Sequence, residues 1–288
     1  MQTDRLIILL FFVFSIAAGC NNNVKKNPGG SMYDSSQAGR VDEDSTKLAY
    51  TDCYEIFFKA LPKFKDSMSA SLILQNGKRI TLTRFFKDEF MSQVSEYGKK
   101  DLDGDGKEEL IVFNNTGGAH CCDEYYIFSQ KKDNEFQFKA HLMGGETCID
   151  ATDNTFTYSF SETFGYFFTC YACEFNDSTG TFHALREVQL KYDSGKLQVI
   201  PYNSADEKQN LTNLEILQNH GFEKVEGLMD SGWRKEFAMN LAVWHYNHNK
   251  DLKQTKALFD RYYNFQDAVK VWKEFYSSLQ DFGKENTF

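Results

Sequence analysis

Apolar and polar positions along the chain fall into four successive regimes. Residues 6–16 read Leu-Ile-Ile-Leu-Leu-Phe-Phe-Val-Phe-Ser-Ile without a charge. That run is shorter than the roughly 20 apolar residues needed to cross a bilayer. With Arg5 ahead of it and Ala17-Ala18-Gly19 behind, it has the layout of a cleavable export signal over residues 1–19. From Asn21 to about Lys47 the chain turns polar, with Asn21-Asn22-Asn23, Pro28-Gly29-Gly30-Ser31 and Asp42-Glu43-Asp44. Too little apolar surface is present there to offset the entropy of ordering, so residues 20–48 are expected to form a flexible tether.

The third regime, residues 49–202, is read as a β-rich domain. It opens with Tyr54, Phe57, Phe58, Leu61 and Phe64 at helical spacing, which predicts a helix over Asp52–Lys65 weakened near its end by Pro62. Ser71–Leu74 and Arg79–Leu82 flank Asn76-Gly77, a strong hairpin signal. Short apolar or alternating runs follow: Leu110–Phe113, Tyr125–Phe128, Phe136–Leu142, Phe156–Phe160, Phe164–Cys170, Phe182–Tyr192 and Lys196–Ile200. Gly, Asn, Asp and Ser separate them, the pattern of an antiparallel meander. After Pro201 the period changes to 3.6. Trp233, Phe237, Leu241 and Trp244 form one stripe, Leu258, Phe259 and Tyr262 a second, and Val269, Trp272, Phe275, Tyr276 and Leu279 a third. Residues 203–288 are therefore expected to be helical, packing on one another and on the sheet. The fold class expected is α+β: an antiparallel β-meander sheet with an N-terminal helix and a C-terminal helical tail.

Charge narrows the partners. The 288-residue chain carries a net −9, and Asp4 and Arg5 cancel, so losing residues 1–19 leaves that balance intact. An acidic chain without a basic patch argues against nucleic acid. It says nothing against a protein or glycan partner. No Gly-x-Ser-x-Gly elbow, phosphate loop or dinucleotide fingerprint occurs. The two carboxylates of a glycosidase need no local motif, so a hydrolase of surface polymers stays open as an alternative.

The sharpest chemistry is Asp101-Leu102-Asp103-Gly104-Asp105-Gly106-Lys107-Glu108-Glu109. Calcium takes six to eight oxygen ligands, and carboxylates at alternate loop positions with glycine at the sixth supply them. Asp101, Asp103 and Asp105 are expected to donate side chains, Lys107 its carbonyl while its ammonium points to solvent, and Glu109 a closing carboxylate. The twelfth position is Val112, inside an apolar strand, which excludes a helix–loop–helix hand. The loop instead resembles that of FG-GAP or VCBS-type repeats, Asp-x-Asp-x-Asp-Gly-x-x-Asp followed by a strand, with Glu109 in the final acidic position. It occurs once, whereas a propeller would need several copies. The resemblance implies a structural calcium ion.

Cys20 directly after small residues resembles the bacterial lipobox. An ordinary signal peptide or an uncleaved anchor would also fit the apolar run. The resemblance implies a lipid-modified Cys20, a mature protein held at the membrane through its acyl chains, and a place in the cell envelope. Several acyl chains on one residue anchor a protein stably where one does not. Asn21, rather than an aspartate, favours the outer membrane. Export also bears on the other six cysteines, Cys53, Cys121, Cys122, Cys148, Cys170 and Cys173, which are expected to form disulfides. Adjacent strand residues face opposite sides, so Cys121 and Cys122 should take different partners. Cys170-Tyr171-Ala172-Cys173 has the spacing of thiol oxidoreductases. Its flanks read as strand rather than the helix N-terminus that lowers a thiol pKa, so structural bridging is preferred over redox chemistry.

The Gly117-Gly118-Ala119-His120-Cys121-Cys122 segment, together with the acidic loop, resembles bacterial secreted proteins and lipoproteins and implies no particular activity. His120 and the two thiols offer zinc or copper ligands as an alternative. His245 and His248 lie three apart on a helix without an accompanying glutamate motif, and are expected at the surface. The reading is therefore a non-catalytic, calcium- and disulfide-stabilised envelope lipoprotein that binds a protein or glycan, with a thiol oxidoreductase or hydrolase as the alternative.

Overall fold

The computed structural model describes residues 53–62, 67–89, 94–115, 123–144, 147–175, 177, 180–221 and 230–288. The expected export segment and tether, with Cys20, and the residues His120, Cys121 and Cys122 lie outside them. The described residues belong to one compact unit within 42–288.

Helix α1 (Cys53–Ala60) stops just before Pro62, as the missing amide of proline requires. Strands β1 (Ser71–Ile73) and β2 (Arg79–Thr81) form the expected hairpin, with Gly77 at φ +80° in its turn. The chain then enters helix α2 (Leu82–Glu89) at once, so Leu82 opens a helix rather than closing a strand. Strands β3 (Val94–Lys100), β4 (Glu109–Asn115), β5 (Asp123–Lys132) and β6 (Glu135–Gly144) run as an antiparallel meander. The first sheet has the order β2-β1-β6-β5-β4-β3, closed by one parallel pairing that sets Leu72 opposite Phe136. Leu110-Ile111-Val112-Phe113 in β4 is buried on both faces, the signature of a central strand.

A second sheet, order β10-β9-β8-β7, is built from β7 (Cys148–Ile149), β8 (Thr155–Ser159), β9 (Glu187–Asp193) and β10 (Lys196–Ile200). The buried and exposed residues of β9 alternate strictly, so one face meets the core and the other does not. Ser194 and Gly195, both at positive φ, close the β9–β10 hairpin.

Two of the expected strands are not formed as read. Phe164 ends a one-turn helix α3 (Ser161–Phe164), and residues 165–170 run through irregular turns. Phe164 is drawn into a stack on Phe275, centroids 5.5 Å apart at 15°, and Phe168 adopts φ +56°. Tertiary aromatic packing thus overrides the β preference of this run. The Phe182–Tyr192 run is a strand only from Glu187 onward.

Helices α4 (Ser204–His220), α5 (Trp233–Asn247), α6 (Leu252–Tyr262) and α7 (Ala268–Glu285) complete the chain. Asn203 and Asp251 cap α4 and α6 by accepting backbone amides of the first turn. These helices share a single core with both sheets: Ile111, Phe113, Phe156, Leu190, Trp233, Phe237 and Phe282 all belong to it. A smaller apolar cluster on the other face of the first sheet is covered by α2 through Phe85. The stripe expected on α5 proves too narrow, because residues 233–246 are buried all round. No helix among the described residues is long and apolar enough to cross a membrane.

Candidate metal centre

The Asp101–Glu109 loop joins β3 to β4, and its last residue, Glu109, pairs with Lys100 in the sheet. Asp101 and Asp103 therefore belong to the turn, while Glu109, buried, opens the strand. Gly104 at φ +78° and Gly106 at φ +83° take the left-handed conformations that let the chain double back. Asp101 folds the loop around itself, accepting Gly104 N at 2.7 Å and Gly106 N at 3.0 Å on its two oxygens. The second sheet grips the loop from outside. Ser194 N donates to Asp103 Oδ2 at 3.0 Å, and Asn154 Nδ2 donates to the carbonyls of Asp101 and Leu102 at 3.2 and 3.3 Å. The loop is thus a clasp between the two sheets.

Asp101, Asp103 and Glu109 each present a carboxylate oxygen, all within 4.8 Å of one another. Asp105 stands apart from that group. It accepts Lys107 N at 2.7 Å and pairs with Lys107 Nζ at 3.2 Å. The Lys107 ammonium thus leans back on Asp105 instead of pointing freely to solvent. Three of the five expected ligand residues converge by side chain. Glu109 is 3% exposed and accepts Leu102 N at 3.0 Å. Burial, followed by repulsion from Asp103, Asp105 and Asp101, raises its pKa to about 7. The nearby Tyr192 hydroxyl, bonded to Ser129 at 2.6 Å, is pushed up to about 12, chiefly by burial. A cleft of about 280 Å³ opens beside the loop, bordered by Asp103, Glu109, Lys131, Gln137, Lys139 and Ser194. An all-oxygen donor set with three converging carboxylates fits a hard divalent cation better than a soft one.

Among the cysteines, Cys170 and Cys173 are bonded to each other, Cα atoms 5.1 Å apart, and Cys148 is also disulfide-bonded. Cys170 follows irregular turns and opens no helix, so the helix dipole that activates thiol oxidoreductases is missing at that position. The bonded turn is seated on α5. Gly232, at φ +92°, lets Cys173 O approach so closely that a Cβ there would lie 2.6 Å from it. Thr169 Oγ1 donates to Asp230 O at 2.6 Å. Cys20, His120, Cys121 and Cys122 fall outside the described residues, as does the side chain of Cys53.

His245, expected at the surface, is buried. Thr255 donates its hydroxyl to Asp251 O at 2.8 Å, so His245 Nδ1, 2.7 Å from Thr255 Oγ1, must carry the proton of that hydrogen bond. Burial first, then Lys250, lowers its pKa to about 4. His248 stacks on Trp244 at 3.9 Å and approaches Glu207 at 3.4 Å. The two histidines thus have separate partners.

Sequence patterning missed the charged girdle of α5. Glu236, wholly buried, takes two hydrogen bonds from Arg186, at 3.1 and 2.5 Å. Arg234 is held by Asp230 at 3.0 Å, Asp267 at 2.6 Å and Tyr263 at 3.1 Å. Lys235 donates to Tyr171 O at 2.8 Å. Consecutive charges Arg234-Lys235-Glu236 look like a solvated face until these distant partners are known.

No protein-family model, curated protein or solved structure matches the chain.

Proposed function

We propose that this is a lipid-anchored protein of the bacterial cell envelope, exported by residues 1–19 and held through Cys20, most simply at the outer membrane. Its folded body is stabilised by calcium and disulfides and binds a protein or glycan partner without transforming it. The observation that carries the reading is the meeting of Asp101, Asp103 and Glu109 on a loop tied to the second sheet through Ser194 and Asn154. Calcium held there would relieve repulsion among the carboxylates and lock the β3–β4 connection to the β9–β10 hairpin. Its role is accordingly structural, setting the shape a partner meets. Magnesium insists on near-ideal octahedral geometry and gives up water reluctantly, so a loop of this kind favours calcium.

Titration calorimetry on the full chain in detergent, stripped with chelator, tests the ion. One saturable calcium site, at least about tenfold preferred over magnesium and lost in Asp103→Asn, is expected. No heat, or equal heats with Asp103→Asn, contradicts it. Acyl-chain labelling in cells tests the anchor: Cys20→Ser should lose all label. Crosslinking from the cell surface inward tests the partner, and recovery of no envelope protein or glycan contradicts that part.

A further inference from the structure

Beside the disulfide-bonded turn lies a second cavity, about 130 Å³, away from the acidic loop. Ser161, Gly165, Tyr171, Glu174, Arg186 and Lys235 line it. Lys235 is only 5% exposed. An ammonium has three donors, and Lys235 gives one to the Tyr171 carbonyl at 2.8 Å. Among the described residues no carboxylate lies within 4.0 Å of it. Its acidic neighbours are committed elsewhere: Glu236 to Arg186, at 2.5 Å, and Asp230 to Arg234, at 3.0 Å. Glu174 remains, exposed at the cavity rim. A buried ammonium with no carboxylate in contact is costly, and here it faces a cavity that Glu174 also lines. Burial accordingly lowers its pKa.

Tyr171 is the aromatic member of this lining. Tyr166, 64% exposed, leans against Tyr171 with ring centroids 5.5 Å apart at 49°. Gly165 makes the arrangement possible, since a Cβ there would lie 2.5 Å from Tyr171 Cδ2. Exposed tyrosines present a flat apolar face with a polar edge, which suits the C–H face and hydroxyl rim of a pyranose ring.

We propose that this cavity takes the carboxylate of an acidic sugar, with the sugar ring resting on Tyr166 and Tyr171. The carboxylate accepts hydrogen bonds from Lys235 Nζ and faces the Arg186 guanidinium. A single negative charge matches a single ammonium that has no carboxylate in contact, whereas a phosphate dianion would bring a second charge against Glu174. The chain's net charge of −9 repels anions at long range, so recognition is made at contact distance. This assignment rests on the glycan branch of the partner-binding reading and names its chemistry.

Calorimetry of the full chain in detergent, with trigalacturonate and its methyl ester as probes, tests it. The acid should bind and the ester should bind about tenfold more weakly, the loss of one charge-assisted hydrogen bond. Lys235→Met should cost the acid about tenfold and leave the ester unchanged. Glu174→Gln should tighten the acid about twofold by removing a like charge. Tyr166→Ala should weaken acid and ester alike, about fivefold. If Lys235→Met fails to fold, the two exposed variants carry the test. Equal affinity for acid and ester overturns the assignment, as does an acid insensitive to all three substitutions. So does inorganic phosphate competing better than acetate, or no saturable binding of trigalacturonate or sialic acid below about 10 mM. Capture of a protein or neutral glycan by wild type and Lys235→Met alike overturns this cavity's role while leaving the partner-binding reading standing.

Discussion

Glu236 and Glu109 are both buried glutamates, and the protein treats them in opposite ways. Glu236 sits inside the helical layer with two hydrogen bonds from Arg186. The adjacent Arg234 is matched by Asp230 and Asp267. Glu109 sits under the β3–β4 loop with one backbone donor, Leu102 N, and two further carboxylates aimed at the same point. At Glu236 and Arg234, charge is neutralised from within the fold. At the loop, negative charge accumulates on a rigid strand end and a glycine-shaped turn. Buried charge is expensive unless paired. The contrast is what the proposal of a calcium ion at the loop rests on.

The same isosteric substitution should therefore have opposite signs at the two glutamates. Glu236→Gln leaves Arg186 without its bidentate partner and should cost about 3 kcal/mol in urea unfolding. A cost below about 1 kcal/mol would mean the α5 girdle is not held by this pair. The next effect is acid sensitivity at the far end of α5. His245 is neutral in the folded state with its pKa lowered to about 4, while an unfolded histidine titrates near 6.5. Above about pH 6.5 neither state binds the proton. As the pH falls below that, only the unfolded state gains it, so stability drops until the folded pKa is reached. Between about pH 6.5 and about pH 5 the loss should be about 2 kcal/mol. His245→Gln, which can still donate to Thr255, should flatten that slope, and an unchanged slope would assign it to other groups.

Smaller effects follow at the turn and at the loop. Replacing Cys170 and Cys173 with alanine removes a bridge that closes a very short loop, so the entropic cost is below about 2 kcal/mol. A larger loss would mean the bond also holds Tyr171 against Lys235. In chelator, Glu109→Gln should stabilise by about 1 kcal/mol, because one of the converging charges disappears. Destabilisation under those conditions would show that Glu109 is compensated inside the fold, as Glu236 is, and would erase the contrast.

The legible and illegible parts of this fold divide by the range of the forces that make them. The Asp101–Glu109 loop is local: its glycines and alternating carboxylates lie within nine positions, and Gly106, the sixth, takes the left-handed backbone that a sharp turn needs. The β4–β6 meander is legible for the same reason, through runs such as Leu110–Phe113 and the turns between them. Asp105 turns to Lys107, two residues on, and so lies apart from the three converging carboxylates. Residues 164–170 looked like a strand because aromatics favour strands, and only the stacking partner Phe275, far along the chain, pulls them into turns. The charged girdle of α5 depends on Arg186 and Asp267, so no window of sequence around Glu236 contains it. The parallel β1–β6 pairing is likewise a long-range closure with no local signature.

The central claim, that the loop is completed by calcium, is tested most directly by thermal unfolding of the full chain in chelator and then in calcium at about 100 times its Kd. Calcium binding only to the folded state should add about 2.7 kcal/mol. The midpoint should rise in wild type, stay fixed in Asp103→Asn, and respond far less to magnesium. A midpoint that ignores calcium, or that rises equally in Asp103→Asn, would contradict the account.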